Sequence, residues 1–161
     1  FTPVRGGYYC PSPQTLSANA YMGETISATP DGRCRGEATA DNISPAAGTD
    51  QNGVTAALKS VAKLDHVYAT NGTILNVKLH PTAVSGQDRV QKFAALIKSY
   101  FDLGGFQVQF NIVSANVLKD AQYNPEKYAN LIVKVAGYSA LFVTLDRQLQ
   151  DQIIARTEHV V

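Results

Sequence analysis

The chain has 161 residues, the length of a single domain and enough to bury a core. Charged residues make up 17% of it, below the ~25% of an ordinary soluble domain, while apolar residues stand at 45%. With a net charge of +1, this composition excludes intrinsic disorder and offers no basic excess for nucleic acid or an anionic membrane surface.

Low charge at a normal apolar content points to surface packed against something outside the chain. Cys10 and Cys34 form no CxxC pair and no Cys/His cluster, so they read as reduced thiols, not as a zinc site or a disulfide framework. That places the chain in the cytoplasm. No charged and then apolar leader is visible at the start, and no apolar run approaches the length of a membrane span. The first residue is Phe1, not Met, which reads as a fragment, a processed product or a subclone.

Residues 1–53 are punctuated by Pro3, Gly6, Gly7, Pro11, Pro13, Gly23, Pro30, Gly32, Gly36, Pro45 and Gly48, a density that permits turns but no long helix. Within it, Thr29-Pro30-Asp31-Gly32-Arg33 is a turn, with Pro fixing φ and Gly supplying a positive φ. A helix is predicted over Thr55 to His66, packing through Ala56, Leu58, Ala62 and Leu64, and a strand over Thr73 to Leu79. Asp88 to Leu103 carries Val90, Phe93, Ala94, Ile97 and Phe101 at three-four spacing before Gly104-Gly105, an amphipathic helix with an N-cap and a glycine stop.

Phe106 to Val113 alternates, with Phe106, Val108, Phe110 and Ile112 toward a core and Gln107, Gln109 and Asn111 away from it. Ser114 caps a short helix to Gln122, and Pro125 opens a further turn ending near Tyr128. Leu131 to Val135 and Ala140 to Leu145 are strand-length apolar runs. Asp146 to Thr157 closes the chain as a helix with Leu149, Ile153 and Ile154 inward. This alternation of helix and strand predicts an α/β or α+β arrangement.

Few constellations in the chain carry chemistry. It has no GxGxxG, P-loop, HExxH, nucleophile elbow or EF-hand loop. Asp65 and His66 diverge on a helix and form no dyad, and His80 and His159 read as structural or surface histidines. Asp31, Asp41, Asp50 and Asp65 lie near turns or helix starts, where capping is their expected work. Asn71-Gly72-Thr73 matches a glycosylation sequon that a cytosolic chain leaves unused. The Gly-rich lead-in and paired tyrosines of Tyr8-Tyr9-Cys10-Pro11-Ser12 make Tyr9 and Cys10 candidates for a substrate pocket, against the alternative of a surface loop or buried packing.

The segment from Ile132 to Ala140, Ile-Val-Lys-Val-Ala-Gly-Tyr-Ser-Ala, resembles the glycyl-radical signature. Its flanks, Asn124-Pro125-Glu126-Lys127-Tyr128 and the stretch from Asp151 to His159, resemble the same family, as do the stretch from Ala28 to Arg33, Ser44-Pro45 and Ser99-Tyr100-Phe101. The chain is similar to the C-terminal part of a glycyl radical enzyme of the B12-independent glycerol/diol dehydratase branch, within the pyruvate formate-lyase superfamily. The resemblance implies an α/β fold, the C-terminal part of a ten-stranded α/β barrel with the radical loop at its centre. It also implies a division into a loop-rich barrel segment over 1–52 and a glycyl-radical domain over 53–161.

The same resemblance makes Gly137 the radical site, supported by Lys134, Val135, Ala136, Tyr138 and Ser139. Glycine suits the role because a planar Cα radical delocalises into both neighbouring amides, and only Gly lacks the β-carbon that would crowd it. Apolar runs on both sides predict a dry, enclosed setting. Lys134 stands where the signature commonly has Arg; it keeps the charge and loses the bidentate fork.

Further implications concern partners. The resemblance implies a separate activating enzyme that uses S-adenosylmethionine and a 4Fe-4S cluster, with no metal or cofactor bound by the chain itself. It implies an anaerobic, oxygen-sensitive homodimer. It also implies a thiyl-forming cysteine in a Gly-Cys-x-Glu context, which neither Cys10 nor Cys34 occupies, so that loop is expected on the remainder of the same enzyme. The expected activity is dehydration of glycerol or 1,2-propanediol. The alternatives are formate C-acetyltransfer, a choline, hydroxyproline or isethionate lyase, a free-standing radical subunit that is not catalytic alone, and an α/β binding module with a turn glycine at 137.

Overall fold

The computed structural model describes residues 3–15 and 17–159. Ten regular elements follow in chain order. They are α1 (Asn19–Thr25), α2 (Val54–Val61), β1 (Asn76–Leu79), α3 (Gln87–Asp102), β2 (Gln109–Ile112), α4 (Ala115–Tyr123), β3 (Ile132–Lys134), β4 (Ser139–Leu141), α5 (Arg147–Ala155) and β5 (Glu158–His159).

Strands β2, β1 and β5 form a parallel sheet in that order, with Asn76 opposite Gln109 and Leu79 opposite both Ile112 and His159. All four residues of the central strand β1 are buried, as expected of a parallel strand covered on both faces. Their side chains divide by alternation. Val77 and Leu79 join a core with Val54, Leu58 and Val61 of α2 and Tyr100 of α3. Asn76 and Lys78 point to the other side, where Lys78 Nζ donates to the Ile154 carbonyl in the last turn of α5 at 2.7 Å. A second core joins Leu118 and Ala121 of α4, Val133 and Phe142 of the hairpin region, and Leu149 and Ile153 of α5.

Three sequence expectations change. The helix predicted to reach His66 stops at Val61, because the Val61 carbonyl is taken by the Leu64 amide and lies 3.1 Å from the His66 ring. Leu64 is left exposed instead of packing. In α3 the inward stripe is buried Tyr100 with half-buried Phe93 and Leu96, while Val90, Ala94 and Phe101 face outward. The helix opens after Gly86 without a side-chain cap and places Asp88 in its first turn. The glycine stop holds: Gly104 has φ +99°, and a Cβ on Gly105 would lie 2.3 Å from the Tyr100 ring.

The third change concerns β2. Phe106 and Ile112 are exposed, whereas Asn111 is buried and Gln107 and Gln109 are half-buried. Val108 and Phe110 do pack against the first core as expected, Phe110 meeting Phe93 of α3 edge-on at 4.8 Å. The polar row is covered as well, on the opposite face.

Two aspartates expected to cap helices instead join distant segments. Asp50 accepts from Thr157 Oγ1 and lies 2.8 Å from His159 Nε2, tying β5 to the first third of the chain. Asp41 pairs with Arg156. The caps that do form are Ser114 on α4 and Asp146 on α5, together with Glu158, which accepts from the Ala115 amide at 2.7 Å.

Candidate active site

Strands β3 and β4 pair antiparallel, with Ile132 opposite Leu141, Val133 opposite Ala140 and Lys134 opposite Ser139. The Val135 amide donates to the Tyr138 carbonyl at 2.9 Å, so Ala136 and Gly137 form the two-residue turn. Gly137 has φ +83°, and Ala136 stays out of the left-handed region. That pairing is the one a type II turn requires, with glycine in its third position. A Cβ on Gly137 would lie 3.2 Å from Ile74 Cδ1, so a side chain here is strained by the positive φ and tight against the tip of Ile74.

The hairpin is rooted by burial. Val133, Val135, Ala136 and Phe142 are each no more than 2% exposed and sit in the second core. Its tip is open: Gly137, Tyr138 and Ser139 are exposed, and Ile132 and Leu141 face outward. The sequence predicted a dry enclosure from the apolar runs on both sides. Strand alternation turns half of those residues away, and this chain walls the turn on one side only.

Polar side chains dock the hairpin onto the parallel sheet. The Asn111 side-chain amide makes two bonds to the backbone of one residue, accepting from the Lys134 amide and donating to the Lys134 carbonyl, each at 2.7 Å. Asn76 Nδ2 donates to the Val135 carbonyl at 2.9 Å and to Asp41 Oδ2 at 2.7 Å. Arg156 Nη2 donates to the same carbonyl at 3.2 Å and pairs with the same carboxylate oxygen at 2.7 Å. Gln109 Nε2 donates to Asn76 Oδ1, and Ser44 Oγ accepts from the Asn76 amide at 3.0 Å.

The charges in this network are costly to bury. Burial pushes the Asp41 carboxyl above its ordinary value, and the Arg156 charge and the Asn76 bond pull it back. Burial likewise lowers Arg156, with Asp41 opposing. Each ion therefore depends on the other, and removing one strands its partner.

Of the residues named from sequence, Val135 and Ala136 lie in the buried root, and Gly137, Tyr138 and Ser139 at the open tip. Lys134 contributes its backbone to the Asn111 clamp while its side chain is exposed. Tyr9 and Cys10 are exposed and do not line the cavity of about 210 Å³ bounded by Asp41, Asn76, Lys78 and Arg156.

Sequence reasoning missed Asn76, Asn111, Asp41 and Arg156. The available signal was the amide-rich row Gln107, Gln109 and Asn111, which alternation alone assigns to solvent. Among the described residues, no group of three or more His, Cys, Asp or Glu could hold a metal ion, and no helix is long and apolar enough to cross a membrane.

Residues 39–143 match the family described as Glycine radical, a span that includes the hairpin and its Asn111 clamp. The glycerol-bound B12-independent glycerol dehydratase from Clostridium butyricum superposes on 100% of this chain with a TM-score of 0.94 and 52% identity. A structure described for 1,2-propanediol dehydration in Roseburia inulinivorans gives a TM-score of 0.92 and 51% identity over 99% of the chain. Trans-4-hydroxy-L-proline dehydratase of Clostridioides difficile is 44% identical over 96% of the chain. In each case the chain spans only 20% of the relative's length. With its mixed α/β fold shared with these enzymes over its whole length, this chain belongs to the glycyl radical enzyme family.

Proposed function

We propose that Gly137 carries the radical and that this chain is the radical-bearing portion of a dehydratase acting on a small polyol. The likeness of the whole of this chain to one fifth of the glycerol dehydratase carries the reading. The hairpin geometry supports it: the glycine sits at a turn whose positive φ disfavours any other residue, on a tip that other protein can reach.

In this reading the Gly137 Cα radical takes a hydrogen atom from a cysteine thiol on the remainder of the enzyme, giving a thiyl. The thiyl abstracts hydrogen from a carbon bearing a hydroxyl. The substrate radical loses the neighbouring hydroxyl together with the proton of its own hydroxyl, as water, so that its carbon becomes the carbonyl. The product radical recovers its hydrogen from the thiol. A 1,2-diol thus becomes an aldehyde and water with no net oxidation. Residues 1–52 serve as barrel wall and 53–161 as the radical domain, a boundary supported by α2 opening at Val54. Tyr9 and Cys10 approach the substrate only if the remainder of the enzyme folds over their exposed loop.

The radical is installed by a separate enzyme carrying S-adenosylmethionine and a 4Fe-4S cluster. The working form is a cytoplasmic, oxygen-sensitive homodimer, and the two free cysteines suit a reducing compartment. The 161-residue chain alone is catalytically silent. The test is an anaerobic assay of the activated intact enzyme on glycerol and 1,2-propanediol. Aldehyde formation from either is the expected result; acetyl transfer from pyruvate with no polyol turnover would overturn the reading.

A further inference from the structure

The hairpin is not joined to the parallel sheet by a strand ladder. β3 and β4 pair with each other, and residues 134 and 135 reach the sheet through side chains. At Val135 those side chains close a ring. Two NH2 groups, Asn76 Nδ2 and Arg156 Nη2, each give one hydrogen to the Val135 carbonyl and one to Asp41 Oδ2. Each oxygen accepts twice, and each nitrogen spends both hydrogens. The four groups come from three separate places in the chain besides the hairpin: the loop at 41, strand β1 and the end of α5. Val135 lies two residues before Gly137, inside the buried root.

We propose that Asp41, Asn76 and Arg156 are positioning residues that form a latch on the glycine hairpin and set how often it leaves the sheet. The inference rests on Gly137 being the radical carrier, because an activating enzyme must then reach its α-hydrogen. Release breaks two bonds at Val135 and two at Lys134 but leaves every bond of the β2-β1-β5 sheet intact. Asp41 and Arg156 remain paired behind it, so no buried charge is abandoned when the hairpin swings out. Local opening without global unfolding is what such side-chain docking permits.

Asn76→Asp tests this in the intact enzyme. A carboxylate there has no hydrogens to give the Val135 carbonyl and faces Asp41 directly. Hydrogen exchange, followed by mass spectrometry before activation, compares a peptide covering 131–142 with one covering 76–79. The expected result is exchange about tenfold faster over 131–142 with 76–79 unchanged, and a faster initial rise of the radical spin signal on activation. An unchanged hairpin, or equal acceleration of both peptides, would overturn the latch. If Asn76→Asp does not fold, Asn76→Ala, which removes the same donor to the Val135 carbonyl without adding a charge, supports the same comparison and is judged by the same two outcomes. Exchange needs no radical, so a wild-type enzyme with no glycyl signal would sink the Gly137 assignment and leave the latch result standing on its own.

Discussion

Asn111→Ala isolates the other half of the docking. The substitution removes two hydrogen bonds of 2.7 Å and leaves the amide and carbonyl of Lys134 without their partner. Both contacts are partly buried, so about 1 kcal/mol each is a fair magnitude, or about 2 kcal/mol in total. At about 1.4 kcal/mol per factor of ten, the hairpin should open about 30 times more often.

Lys134 itself supplies the assay, because trypsin cleaves after lysine. While Asn111 holds the carbonyl of the scissile bond and the Lys134 amide before it, a protease cannot draw this backbone into its cleft. Cleavage of the native protein at Lys134–Val135 therefore reports the open population when reclosing is fast. The variant should be cut there about 30 times faster, with no matching gain at Arg156. A rate within threefold of wild type would refute the claim that this clamp holds the hairpin.

Two further outcomes bear on the fold. Leu118 is fully buried among Val133, Phe142 and Ile153, so Leu118→Ala should cost about 2–5 kcal/mol in urea unfolding, and a loss under about 1 kcal/mol would mean the second core is loosely packed. Asp120 should titrate at about 2, below the usual 3.8, because the Tyr128 hydroxyl, Lys127 and Asn124 all donate to it. Its contribution is present above the unfolded value and lost as pH falls toward 2; carbon NMR of that carboxyl with a midpoint near 3.8 would contradict the cluster.

The elements of this fold could be read from sequence more readily than their orientation. Ser114 and Asp146 announce helix starts that the structure keeps, and Gly104-Gly105 announces a stop it keeps. The turn at Gly137 follows from glycine between two apolar runs. What misled was the solvent side of β2: hydrophobic alternation assumes that polar residues face water. Here all three polar residues face inward and find polar partners there: Gln107 accepts from the Leu75 amide, Gln109 donates to the Asn76 side chain, and Asn111 bonds the hairpin backbone at Lys134.

Asp41 and Arg156 are 115 positions apart, and nothing local marks their meeting. Near a turn, an aspartate looks like a cap until the fold brings it a cation. The exposed Phe106, Ile112, Ile132 and Leu141 fit the low charge of the composition, which pointed to surface covered by something outside the chain.

The most direct measurement is mass spectrometry of the intact enzyme, activated without oxygen and then exposed to air, alongside electron-spin spectroscopy before exposure. If Gly137 carries the radical, the spectrum shows a glycyl signal, oxygen cuts the backbone at that residue, and a C-terminal piece beginning next to Tyr138 appears. The Gly137→Ala protein shows neither signal nor cut. Both persisting in the alanine variant, or a cut elsewhere in the chain, would contradict the assignment.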